Sequence, residues 1–128
     1  MRRIVLESAG GVRLDVEVAE SRRERMRGLL RRERLSPGHA LLIPNTRSVH
    51  TLGMRFSIEA IFLDRDLNVV GKRQLAPGRI CWPRPRARHI LECNPGEGPA
   101  RGDRLTALYT RPCPRGVERG APPSAPIV

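Results

Sequence analysis

The stretch Ile58-Glu59-Ala60-Ile61-Phe62-Leu63 decides the fold, because it is apolar at every position except Glu59. A short run that is apolar on both of its alternating faces is typical of a strand in the middle of a sheet. The next residues, Asp64-Arg65-Asp66-Leu67-Asn68, favour a turn, and Val69-Val70 begins a return strand. This part of the chain therefore predicts a β-hairpin that contains a central strand.

Strand patterns continue on both sides of this hairpin. Apolar and charged residues alternate from Val12 to Val18, and a turn at Gly10-Gly11 pairs this segment with Ile4–Glu7. Residues 75–87 contain three prolines and therefore cannot form a central strand. The other predicted strands are Ala40–Ile43, Ser48–Leu52, His89–Cys93 and Arg104–Tyr109.

One segment has helical periodicity. Ser21 and Glu24 have the spacing of a capping box, in which each side chain accepts a hydrogen bond from the backbone of the other residue. Met26, Leu29 and Leu30 follow at helical spacing and predict a single apolar stripe. We expect a helix of about three turns that ends near residues 32–35.

Seven or eight short strands and one helix near residues 21–33 predict a mainly β fold, either a β-sandwich or a flattened barrel. A chain of 128 residues fits one domain. We expect residues 1–109 to form this β-rich domain. Residues 110–128 contain five prolines, three arginines and few large apolar side chains, which predicts a disordered tail.

The chain is strongly basic, with 24 Lys and Arg residues against 13 Asp and Glu and a formal net charge of +11. Such an excess favours an anionic partner. However, Lys72 is the single lysine, and Arg, Ala, Gly and Pro are abundant while aromatic residues are scarce, which a GC-rich coding bias also produces. Both explanations stay open, and any nucleic-acid binding is expected to be weak and non-specific.

The sequence indicates a cytoplasmic protein. Glu7 interrupts the apolar run Ile4-Val5-Leu6, so we expect no signal peptide, and no segment approaches the ~20 apolar residues of a membrane span. Cys81 and Cys93 could form a disulfide, but reduced thiols fit a cytoplasmic protein better. We expect a monomer.

Three stretches together resemble a known prokaryotic family. They are Glu24–Leu30, Val49–Asp64, and Ile90–Glu92 followed by Gly102-Asp103. In order and spacing they are similar to domain of unknown function 192, and the H-T-x-x-M-R-F-x-I-[DE] segment that starts at His50 is the most specific part. The resemblance implies a β-rich sandwich of jelly-roll type and no established activity. The chain departs from the family pattern at Leu30, Gly53 and Glu59, and we expect none of the signal or lipoprotein leaders that many members carry.

The densest polar cluster in an apolar context contains His50, Thr51, Arg55, Glu59 and Asp64. It predicts a pocket for an anion or another small ligand, in which the Arg55 guanidinium binds an acidic group and His50 donates or relays a proton. A break at Gly53 would bring His50, Thr51 and Arg55 to one rim, with Glu59 or Glu92 holding the guanidinium. The alternative is a structural network in which Arg55 pairs with an acid and His50 and Thr51 satisfy backbone groups.

Other chemistry is poorly supported by the sequence. The spacing of His39, His50 and His89 predicts no metal site, and we expect no cofactor. No nucleophile elbow or phosphate-binding glycine loop is present in the sequence. Arg84, Arg86 and Arg88 alternate beside Trp82 and could follow a nucleic-acid strand, but with four aromatic residues in the whole chain a proline-stiffened surface loop explains them better.

We therefore predict a non-enzymatic accessory or ligand-binding domain whose site contains His50, Thr51, Arg55, Glu59 and Glu92. The first alternative is a cytoplasmic nucleic-acid-binding protein that uses the arginines of the helix and of residues 79–88. An uncharacterised enzyme is the third hypothesis, because the sequence contains no recognisable catalytic arrangement.

Overall fold

The computed structural model describes residues 2–30 and 32–110, and the tail predicted for residues 110–128 lies outside this part of the chain except for Thr110. In this part, 43% strand and almost no helix confirm the mainly β prediction. The elements in chain order are β1 (Arg2–Ser8), β2 (Arg13–Val18), α1 (Arg22–Arg27), β3 (His39–Ile43), β4 (Val49–His50), β5 (Ile58–Leu63), β6 (Val69–Leu75), β7 (Ile80–Cys81), β8 (His89–Cys93) and β9 (Leu105–Thr110).

Seven strands form one sheet in the order β6-β5-β8-β3-β2-β1-β9, and β4 pairs with β7 in a small second sheet. All neighbours in the large sheet are antiparallel except β2 and β3. The sheet curls until its two edge strands meet at one end, where Val69 N donates to the Asp103 carbonyl oxygen (2.8 Å) and Leu105 N donates to the Leu67 carbonyl oxygen (2.9 Å). The result is a curled half-barrel.

Alternation along the strands separates two apolar clusters. The inner cluster draws buried side chains from all seven strands of the large sheet, including Ile61 of β5 and Leu91 of β8. The helix-side cluster lies on the opposite face, where Phe62 and Ile90 pack with residues from the surrounding connections. Strands β5 and β8 are therefore buried on both faces, as the sequence of β5 predicts.

Helix α1 is confirmed but is shorter than predicted. Its capping box is present, since Ser21 Oγ accepts from Glu24 N and Glu24 Oε1 accepts from Ser21 N. The helix ends at Arg27 because Gly28 adopts a φ of 50°, which L side chains disfavour. Leu29 then turns into the helix-side cluster while Met26 stays 70% exposed, so the predicted three-residue stripe was wrong.

The two described cysteines are both free. Cys81 belongs to the helix-side cluster and Cys93 to the inner cluster, so the sheet lies between them and no disulfide forms. No helix in residues 2–30 or 32–110 is long and apolar enough to cross a membrane.

The double-sided core makes a prediction about stability. Replacing Leu91, which is fully buried, with alanine should lower the free energy of unfolding by about 2–5 kcal/mol, because it leaves a cavity in the middle of the sheet. The matched control is Leu52→Ala, since Leu52 is 46% exposed and should change stability by no more than about 0.5 kcal/mol. Urea unfolding measures both, and equal losses would contradict the assigned core.

Candidate functional site

Thr51 is held in a structural role. Its side chain is fully buried, and its hydroxyl donates to the Ala76 carbonyl oxygen (2.6 Å) and accepts from Arg79 N (2.8 Å). Thr51 N also donates to the Arg79 carbonyl oxygen. These bonds tie the end of β4 to the connection between β6 and β7, as expected if Thr51 satisfies backbone groups.

Arg55 lies on the surface. Its side chain is 65% exposed, and Nη1 lies 3.5 Å from Glu33 Oε2, rather than against Glu59 or Glu92. The chain does break at Gly53, which has a φ of 82°, but it forms a tight turn in which Met54 N donates to the Thr51 carbonyl oxygen. The predicted shared rim of His50, Thr51 and Arg55 is therefore not formed, since Thr51 is buried in backbone contacts and Arg55 turns towards Glu33.

Glu59 and Glu92 lie on opposite faces of the sheet. In the register of β5 and β8, Glu59 pairs with Cys93 and Ala60 pairs with Glu92. Adjacent pairs point to opposite faces, so Glu59 joins the inner face, where its Oε2 lies 3.4 Å from Lys72 Nζ and its Oε1 accepts from Gly98 N (3.3 Å). One ligand therefore cannot contact both carboxyl groups across the intact sheet.

Glu92 lines a cavity of about 80 Å³ on the helix side of the sheet, which we call the Glu92 cavity. Three separate parts of the chain meet there: residues 25–30 of α1 and its following turn, the segment from Ile43 to Met54, and β8. Ala60 of the neighbouring strand β5 lies opposite Glu92. The side chain that faces Glu92 from β5 is therefore a single methyl group. Among the predicted site residues, the cavity brings together His50 and Glu92.

The Glu92 carboxyl is unusual in its environment. Only 3% of the residue is exposed, and burial raises its pKa to about 7. No hydrogen bond or ion pair between residues that the structure describes involves this carboxyl. His50 and Ser48 are exposed and line the same cavity, so its mouth offers polar groups while its floor holds a group that titrates near neutrality.

The histidines are placed apart. Burial, with help from Arg88, lowers the pKa of His89, and its Nδ1 accepts from Asn45 N (3.1 Å), which suits a neutral imidazole. His39 begins β3 and does not line the Glu92 cavity. Within residues 2–30 and 32–110, no group of three or more His, Cys, Asp or Glu side chains could hold a metal ion.

The sequence missed the contribution of α1 to this site. Arg27, Met54 and Ser48 line the cavity, but sequence spacing alone does not bring them near Glu92. The sequence did contain a signal for Glu92, which is the single acid in the stretch His89–Cys93. A lone carboxyl in a strand with two buried faces must either bind a partner or take up a proton.

The contrast between Thr51 and Arg55 can be tested by stability. Thr51→Val should lower the free energy of unfolding by about 1–3 kcal/mol, because it leaves a buried N–H and a carbonyl without the hydroxyl partner. Thr51→Ser keeps the hydroxyl and is the control. Arg55→Ala removes one exposed ion pair and should cost about 0–1 kcal/mol. A severe loss in Arg55→Ala alone would show that the guanidinium is structural.

The raised pKa of Glu92 predicts a pH-dependent stability. The folded state holds the Glu92 proton more tightly than the unfolded chain does. The contribution of this proton to the free energy of unfolding is therefore complete below the ordinary pKa of 4.5 and is lost as the pH rises through about 7. This loss amounts to about 3 kcal/mol at 1.36 kcal/mol per pKa unit. Glu92→Gln should flatten the unfolding free energy between these pH values, whereas the exposed Glu33→Gln control should keep the wild-type slope. Identical slopes in all three proteins would contradict the shift.

Two relatives are similar to this chain in sequence. The chain is 39% identical over 84 residues to a UPF0127 protein of Pyrococcus horikoshii, covering 61% of this chain and 70% of the relative. It is 37% identical over 83 residues to a UPF0127 protein of Pyrococcus abyssi, covering 60% and 68%.

Two crystal structures share the fold. A protein of Sinorhizobium meliloti, named as a candidate transcription regulator, superposes with a TM-score of 0.71 and 25% identity over 83% of this chain and 92% of its own. A protein of unknown function from Novosphingobium aromaticivorans superposes with a TM-score of 0.68 and 18% identity. The match covers 80% of this chain and 82% of that protein. The model of the DUF192 family, described as an uncharacterised ACR, matches residues 4–105, which confirms the resemblance. The chain belongs to the DUF192 family.

Proposed function

We propose that the protein is a non-enzymatic binding domain whose ligand places a small cationic group in the Glu92 cavity. The observation that carries the proposal is a buried carboxyl at a cavity where three separate parts of the chain meet. Burial disfavours the charged form of the Glu92 carboxyl. A cation in contact with Glu92 would offset the free-energy cost of burying the charged carboxylate. The ligand would gain binding energy from this offset.

The size and charge of the cavity define the ligand class. A volume of about 80 Å³ admits a few heavy atoms, well below the ~300–1,000 Å³ of an ordinary drug-sized pocket. Glu92 is the buried acidic group of the cavity, whereas Arg25 and Arg27, which also line it, are basic and less buried. This arrangement suits a small zwitterion, with its ammonium group against Glu92 and its carboxylate near Arg27.

Only part of the sequence-predicted site contributes to this proposal. His50 lines the cavity and can donate to, or accept from, a ligand at its mouth. Thr51, Arg55 and Glu59 do not line it. Ligand binding by those three residues stays a prediction.

The proposal can be tested with glycine, methylammonium and acetate as probes, each titrated into the isotopically labelled full chain at pH 8 and observed by NMR. Glycine should bind most tightly, methylammonium more weakly, and acetate should shift no signals. The reason is that only the first two present a cation to the ionised Glu92 carboxylate. Signals of residues 25–30, 46–54 and 90–92 should move together.

The control variants separate this site from general charge effects. Glu92→Gln should abolish methylammonium shifts at the cavity, because it removes the negative charge while retaining the size of the side chain. Glu33→Gln removes an exposed carboxylate and should leave them unchanged. Binding that is equal in wild type and Glu92→Gln, or acetate binding at the cavity, would contradict the proposal.

A second candidate function is nucleic-acid binding. Cys81 and Ala87, which flank the arginine-rich connection before β8, pack in the same cluster as Leu29 after α1. The two arginine-rich segments therefore cover the same side of the sheet, and Trp82 is 76% exposed beside one of them. The name of the Sinorhizobium meliloti structure points in the same direction. Such binding would depend on phosphate contacts and would weaken steeply with salt.

We also propose a cytoplasmic location. Cys81 and Cys93, two buried thiols that are free in the structure, are compatible with it. Reduced thiols persist in compartments where disulfides are rare.

A further inference from the structure

A second cleft, of about 480 Å³, lies beside the turn between β5 and β6. It shares no lining residue with the Glu92 cavity. Arg84 and Arg86 enter it from the connection between β7 and β8, and Arg101 enters it from the loop before β9. Three arginines from two distant parts of the chain thus line one space, which we call the arginine cleft.

Arg84 is held in place by packing rather than by an acidic partner. Its Cζ lies 4.8 Å from the centroid of the Phe62 ring, and a Cβ atom at Gly71 would lie only 2.9 Å from its Nη1. Its Nε is buried and has no hydrogen-bond partner in the part of the chain that the structure describes. The Arg84 guanidinium is thus fixed by its contacts with Phe62 and Gly71, but its hydrogen-bonding capacity is not fully used. A buried polar group without a hydrogen-bond partner needs an explanation other than packing.

The single acid in the cleft, Asp64, interacts with Arg86 through space but forms its hydrogen bonds within its own turn. Asp64 Oδ1 accepts from Asp66 N and Asn68 N (both 2.9 Å), and its Oδ2 accepts from Asn68 Nδ2 (3.2 Å). Although partial burial opposes the effect, these hydrogen bonds and the nearby positive charge of Arg86 keep the pKa of Asp64 below its ordinary value. No ion pair between described residues joins Asp64 to Arg84, Arg86 or Arg101. The lining side chains therefore carry three positive charges against one negative charge.

We propose that the arginine cleft binds a small phosphorylated molecule. Planar guanidinium groups match the oxygens of a phosphate, and several of them together favour a multiply charged group over a single carboxylate. The cleft volume falls within the range of small-molecule sites. Val70 and Pro85 also line the cleft and provide an apolar wall for the organic part of the ligand.

The test titrates pyrophosphate and adenosine monophosphate into the full chain by calorimetry, at low and at near-physiological salt. Arg84→Gln and Arg86→Gln should each weaken binding by about tenfold or more, the amount expected for one charge-assisted contact. Arg34 is exposed and does not line the cleft, so Arg34→Gln is the charge-matched control and should change the affinity by less than about twofold.

Gly71→Ala separates positioning from charge. It retains every arginine but places a methyl group against the Arg84 guanidinium, and should weaken binding about as much as Arg84→Gln. Thermal unfolding of each variant checks that the fold is retained. Equal weakening by Arg34→Gln, or no binding of either probe, would overturn the proposal. Binding of a single-stranded oligonucleotide without binding of either small probe would overturn it in favour of a nucleic-acid surface.

Discussion

Burial of β5 and β8 on both faces is the constraint on which the rest of the structure depends. The inner cluster fills the curl of the sheet, and the helix-side cluster covers the same two strands from outside. A polar side chain on either strand therefore loses water whichever way it points. Glu59 and Glu92 are the acidic residues in this position, and their different surroundings determine what each can do.

The two carboxyl groups are treated differently by their neighbours. Glu59 reaches the single lysine of the chain and a backbone N–H, so its charge is offset within the protein. Glu92 faces a cavity, and burial raises its pKa to about 7. A charge that the fold already compensates contributes to structure, whereas one left to titrate beside a cavity is available to a ligand. This difference is why the proposed site contains Glu92 rather than Glu59.

Local features of the fold could be predicted from the sequence, because they depend on residues close together in the chain. The hairpin from Ile58 to Val70, the alternation in β2 and the capping box of Ser21 and Glu24 are of this kind. The spacing of Met26, Leu29 and Leu30 predicts one apolar stripe, but the early helix end at Gly28 removes that relation and leaves Met26 exposed. The convergence of α1, β4 and β8 on one cavity depends on tertiary packing and could not be derived from spacing.

The arginines illustrate the same difference at the level of charge. Composition gives a net charge of +11 but does not distinguish coding bias from function. The structure does separate the arginines, because Arg3 and Arg32 pair with acids of β2, while Arg84 lies over Phe62 without a described acidic partner. Gly71 makes room for that placement on the adjacent strand, 13 residues away in the chain. In a basic protein, the surroundings of each guanidinium group therefore say more about function than the number of arginines does.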